Sequence, residues 1–179
     1  MTGVAKPGEQ ELERLAGARL SVAERDALLE RQTECTVVFS REGGWPAAVI
    51  MSFMRVDGIF WLTATSDRQQ VTALARDPRM SIVVSNAGTG TPGRQMVSYR
   101  GVGTVHRDRE TLDWFLPLWA ERLAAPGAEE AFIRLLDTPN RVVIAFRPVA
   151  LAASHDSRLL AGDGRGGPGP DHQDSGRSL

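Results

Sequence analysis

Residues 34–64, ECTVVFSREGGWPAAVIMSFMRVDGIFWLTA, decide the fold. Thr36-Val37-Val38-Phe39 is β-branched and apolar, the composition of a strand. Glu42-Gly43-Gly44 reads as a hairpin turn, and Pro46 to Met54 returns as a second strand. Asp57-Gly58 signals another hairpin, because both residues tolerate positive φ. Ile59 to Ala64 is the third strand. Tight turns join antiparallel neighbours, whereas parallel strands need a crossover of about a dozen residues. Two hairpins in series therefore predict an antiparallel meander and argue against parallel βαβ units.

Outward from this stretch, Glu9 to Gln32 has a helical pattern, and Ser21 and Glu24 have capping-box spacing for a second helix start. Leu20, Leu28 and Leu29 then face the core. On the other side, Arg68 to Arg76 predicts a short helix stopped by Asp77-Pro78. Met80 to Ser85 and Gln95 to Val105 read as strands four and five, separated by the loop from Ala87 to Gly93. Asp108 caps a helix whose apolar stripe is Leu112, Phe115, Leu116, Trp119 and Leu123. Pro117 should kink or split it. Phe132, Leu135 and Leu136 mark another helical piece, and Val142 to Phe146 is the sixth strand. Arg147-Pro148 breaks or bulges that strand, and Val149 to Ala153 continues it. The expected class is α+β, mainly β, with six antiparallel strands forming a barrel flanked by helices.

Composition bounds the function. The chain has 179 residues, 42% hydrophobic and 24% charged, which suits one globular domain. A net charge of -1 supplies no global field that would draw it to nucleic acid or an anionic membrane. No apolar run approaches the roughly 18 residues of a membrane span. The stretch MTGVAKPGEQELERL lacks the apolar core of a signal peptide, so the expected location is the cytoplasm. Cys35 is the only cysteine, which rules out an internal disulfide, and it reads as a small buried strand residue.

Several motifs reduce to plain structure. Gly88-Thr89-Gly90-Thr91-Pro92-Gly93 matches G-x-G-x-x-G, but a dinucleotide fingerprint must open a helix, and a strand follows here. It reads as a flexible loop, a lid or a dimer edge. His106, His155 and His172 have no metal-ligand spacing. No Gly-x-Ser-x-Gly elbow is present. Trp114 and Trp119 sit on the helical stripe and read as packing residues.

Thr63 to Pro78, TATSDRQQVTALARDP, is more informative. It runs from a strand end into a helix start, where unpaired N–H groups and the helix dipole favour an anion. Thr63, Thr65 and Ser66 add hydroxyls and Arg68 a positive charge. The competing reading is simple capping by Ser66 and Gln69.

The order of these elements resembles the pyridoxamine 5'-phosphate oxidase-like split-barrel family. The matching stretches are Trp45 to Ser52, Ile59 to Thr63, Ala73 to Val84 with its Asp77-Pro78, Tyr99 to Val105, and Arg141 to Pro148. The resemblance covers residues 20–155 or so. It implies a homodimer with FMN, or the deazaflavin F420, in a cleft between subunits; some relatives hold haem. By resemblance, Val49, Ile50, Met51 and Ser52 lie along the flavin ring, and Thr63, Thr65, Ser66 and Arg68 lie toward ribityl and phosphate. Gln70 stands where the family often has its phosphate lysine. Glutamine offers neutral donors in place of a full charge, and Asp67 adds repulsion. Compensation by Arg68 with an arginine from the partner subunit is one expectation; lowered FMN affinity, a different cofactor, or Gln69 and Gln70 as plain solvent-facing helix residues are the alternatives.

The resemblance thus implies an oxidoreductase exchanging a hydride at the flavin with a small-molecule substrate. Tyr99 and Arg100 are candidates for orienting a ligand. A binding module without chemistry is the alternative. The expected organisation is an N-terminal arm or helix over 1–19, the flavin-binding barrel over 20–158 and a disordered tail over 159–179.

Overall fold

The computed structural model describes residues 17–160. The sequence-predicted arm, the helical pattern before residue 17 and the tail beyond Leu160 lie outside the described residues. The first helix is α1, Val22–Arg31, and it has the full capping box. The Ser21 hydroxyl accepts from the Glu24 N–H, and the Ser21 N–H donates to the Glu24 carboxylate at 2.7 Å. Leu28 and Leu29 carry α1 onto the core, as their spacing predicts.

Seven strands follow: β1 Glu34–Ser40, β2 Pro46–Ser52, β3 Met54–Val56, β4 Ile59–Thr65, β5 Arg79–Ser85, β6 Gln95–His106 and β7 Arg141–Asp156. They form one antiparallel sheet in the order β2-β1-β5-β6-β7-β4-β3. Both sequence-predicted turns form. Gly43 and Gly44 turn β1 into β2, and Asp57 and Gly58, with φ of 51° and 77°, turn β3 into β4.

The expected six strands become seven because Pro46 to Met54 is not one strand. It pairs with β1 as far as Ser52, crosses at Phe53, and pairs with β4 from Met54 onward. The two edges of the sheet are therefore consecutive in the chain. The barrel is split and curled, not a simple meander closed by a hydrogen-bonded ladder. Phe53 fixes the crossing: its N–H donates to the Thr33 carbonyl at 2.9 Å. Its ring is fully buried and lies 5.4 Å from that of Phe60. Phe53→Ala should cost about 3–5 kcal/mol, read as a lower midpoint in urea denaturation, because it empties the seam joining the two edges.

Phe39, Phe60, Leu62, Ile82, Val84, Val97, Ile144 and Phe146 fill the inside of the curl. Helix α3, Arg109–Leu123, covers the outside with α4, Glu129–Leu136. There Leu112, Phe115, Leu116 and Trp119 pack with Met54 and Val143. Val142 and Ile144 face inward and Val143 outward, so β7 is buried on both sides. This accounts for its continuous apolar run, VVIAF. Pro117 does not split α3, which stays one helix. Burial of the stripe around it outweighs the hydrogen bond that proline removes. Beyond Arg147, β7 bulges against β6 at two places and then continues, as expected.

The Gly88–Gly93 loop leads into β6, as the rejection of a dinucleotide fingerprint requires. Buried Asn86 braces it, donating to the carbonyls of Thr91 and Gly93 and accepting from the Gln95 N–H. Cys35 is buried on β1, and burial, with Glu34 beside it, pushes its thiol up to about 12. No described helix is long and apolar enough to cross a membrane.

Candidate functional site

The ends of β2 and β4, the helix α2 (Gln69–Leu74) and the start of β7 meet around a cavity of about 330 Å³. Ile50, Met51 and Ser52 form one wall, and Thr63, Ala64 and Thr65 another. Arg68, Gln70, Leu136 and Arg141 complete it. The structure thus brings together every sequence-predicted site residue except Val49 and Ser66.

Those two lie outside its lining. Side chains alternate along a strand: Ala47, Val49 and Met51 turn inward to pack on the core, while Ile50 points out and is 73% exposed; of the inward residues only Met51, near the strand end, reaches the cavity beside Gln70. Ser66 has left β4: its N–H donates to the Asn140 carbonyl at 2.8 Å, and it lines a neighbouring cavity. Nor do Ser66 and Gln69 form a capping box. α2 starts two residues later, with Arg68 as its first flanking residue and no side-chain cap.

The hydroxyls are partly committed. Thr63 Oγ1 donates to the Val142 carbonyl at 2.8 Å, across the β4–β7 ladder. Thr65 sits beside Asp67, and its hydroxyl draws that carboxyl below the usual range. What remains for an anion is cationic. Arg68 is exposed at the mouth. Arg141 is anchored: its Nε donates to the Leu136 carbonyl at 2.9 Å, at the C-terminal end of α4, where unpaired carbonyls favour a cation. Burial, and secondarily the neighbouring Arg68 guanidinium, lower the Arg141 pKa from its ordinary value. Two like charges are therefore held beside one another at the cavity, an arrangement that an anion between them would relieve.

Gln70 is buried, not solvent-facing, and its amide nitrogen lies 3.6 Å from the Met51 sulfur. It contributes neutral donors where a lysine would contribute charge. Arg141 is the residue that sequence reasoning missed. It appeared only as the head of the closing strand, more than seventy positions from Arg68. The one usable signal was a charge opening the apolar run Val142 to Phe146.

Other candidates lie elsewhere. Tyr99 is half-buried against Phe60, with ring centroids 5.7 Å apart. Arg100 lines a groove on the outer face of the sheet. Trp119 is buried under α3, whereas Trp114 is partly exposed and packs edge-on against Trp61, 4.7 Å away.

A family profile described as pyridoxamine 5'-phosphate oxidase matches residues 22–154. No curated protein matches the sequence. Solved structures share the fold. A conserved hypothetical protein of Mycobacterium tuberculosis (Rv2991) superposes with a TM-score of 0.68 at 22% identity, over 83% of this chain and 92% of its own. HutZ, the haem storage protein of Vibrio cholerae, gives 0.62 at 13% identity, over 74% and 94%. A structure named F420 reductase gives 0.53 at 24% identity, over 71% and 94%. At these identities the likeness speaks for the fold.

Proposed function

The chain belongs to the pyridoxamine 5'-phosphate oxidase-like split-barrel family, and from that membership we propose that it is an oxidoreductase working with a flavin-type cofactor, FMN or F420. The observation that carries this reading is the cavity where Arg68 and Arg141 converge beside Gln70. Guanidinium groups make charge-assisted, often bidentate bonds to phosphate. The donor set therefore fits a phosphate group without the family lysine, and the second arginine comes from this chain. Ile50, Met51 and Ser52 extend the cavity on the side where a ring would lie.

When bound, a flavin supplies the hydride exchange itself. The chain's own residues bind the phosphate, orient the ring and limit water. Among the described residues, no carboxylate, histidine or tyrosine lines this cavity, so its described wall offers none of these groups for proton transfer. That observation favours the second reading, a binding module without chemistry. Haem has less support, since among the described residues neither histidine nor cysteine lines the cavity to ligate iron. The cofactor site lies between two copies of the chain. In support of association, a groove of about 420 Å³ on the outer face of the sheet is lined by Val38, Pro46, Val102 and Val149 together with Arg79 and Arg100. Val149 there is 71% exposed, and such uncovered apolar surface suits association.

Purified protein should carry a yellow chromophore, or take one up from FMN or F420, and mass spectrometry should identify it. Bleaching of that colour by a reduced nicotinamide donor supports the enzyme. Persistent colour supports the binding module, and a protein that refuses both cofactors overturns the reading. Arg68→Ala should weaken cofactor binding by about tenfold, measured by flavin fluorescence quenching. Unchanged affinity would remove Arg68 from the phosphate site.

A further inference from the structure

Beyond Arg141 lies a second cavity, of about 440 Å³, whose polar lining includes Ser66, Arg107, Arg109, Asp137, Asn140 and Arg141 itself. Arg141 thus borders both cavities. The charges of the second one do not cancel. Arg109 is engaged: its guanidinium donates to Asp137 at 2.6 Å and to Asp113 at 2.8 Å. The Arg109 bond holds the Asp137 carboxyl below the usual range, so that carboxylate is already neutralised. Among the described residues, Arg107 has no ion-pair partner, and Arg141 bonds only through its Nε to Leu136. Asn140 Oδ1 accepts from Thr138, which leaves its amide N–H groups for another acceptor. The second cavity is therefore rich in donors and positive on balance, the chemistry of another anion site.

We infer that the cofactor of this protein carries a second anionic group beyond its first phosphate, seated past Arg141 near Arg107 and Asn140. The inference rests on the flavin reading above and refines its choice of cofactor. FMN ends at its phosphate and would leave the second cavity without a ligand. FAD continues with a second phosphate, and F420 continues with carboxylates. Both present the negative charge that Arg107 and Arg141 lack, in the order that the two cavities impose: ring by β2, first phosphate at Arg68 and Arg141, tail beyond.

The test titrates FMN, FAD and F420 separately into the full chain and into Arg107→Ala. The wild-type protein should bind FAD or F420 at least about tenfold more tightly than FMN. Arg107→Ala should remove most of that advantage and leave FMN affinity unchanged. Which of the two prevails distinguishes a phosphate tail from a carboxylate tail. Binding FMN as tightly as the others overturns the inference and leaves the flavin reading standing. So does an Arg107→Ala variant that loses FMN as much as the larger ligands. Failure to bind any of the three overturns both. Arg68→Ala serves as the control and should weaken all three alike.

Discussion

Arg141→Ala is expected to lower affinity for the flavin-type cofactor by about ten- to a hundredfold, while the protein still folds. A hydrogen bond to a charged group is worth about 1.5–3 kcal/mol, and that range gives the factor. Arg141 should matter more than Arg68 because it is preorganised. Its Nε is tied to the Leu136 carbonyl at 2.9 Å, so little side-chain entropy is lost when an anion binds. Arg68 is exposed at the mouth and must be ordered by the ligand. The fold should lose only the bond to Leu136, about 1 kcal/mol, or a fall of about 2–4 °C in Tm. Arg141→Lys separates charge from geometry. It keeps the charge but forfeits the fork, and should recover part of the affinity. Equal affinities for wild type and Arg141→Ala would show that the phosphate sits elsewhere.

Gly101→Ala is expected to be among the most damaging single substitutions in the barrel. A Cβ built on Gly101 would lie 2.1 Å from the Arg147 carbonyl oxygen and 2.8 Å from the Phe146 ring. Phe146 is fully buried, and the carbonyl belongs to the paired strand, where Val102 opposes Arg147. Neither neighbour can move alone, so the β6–β7 ladder must separate. Overpacking usually costs about 1–3 kcal/mol, and a clash with backbone places this site at or above the top of that range. Thermal denaturation should show a fall of about 10 °C, or no folded protein at all. Gly44→Ala is the contrast. Its φ is +81° but nothing lies within 4 Å of the added methyl. It should cost only the conformational penalty of about 1 kcal/mol. Equal losses at the two glycines would contradict the steric argument.

Much of the fold was legible because its signals are local. Capping by Ser21 and Glu24, the glycine turns and the apolar periods of β1, β4 and β5 each depend on neighbours in sequence. The crossing at Phe53 was not legible. PAAVIMSFM reads as one strand, and only the two-edged pairing of the finished sheet reveals that its partner changes midway. The site divides in the same way. Ile50, Met51, Ser52, Thr63, Thr65, Arg68 and Gln70 come from two neighbouring stretches and converge as expected. Val49 shares the inward face of β2 with Met51 but lies one inward position short of the cavity. Ser66 was lost because the chain turns toward Asn140 before α2 begins. Arg141 needed the β4–β7 pairing, which sets it opposite Thr65. No local pattern encodes that register.

The measurement that bears most directly on the site is a crystal structure of the protein grown with its cofactor. The cofactor phosphate should lie between the Arg68 and Arg141 guanidiniums, with Gln70 alongside and the ring toward Ile50, Met51 and Ser52. A cofactor bound elsewhere, or that cavity closed by its own side chains while the cofactor is present, would contradict it.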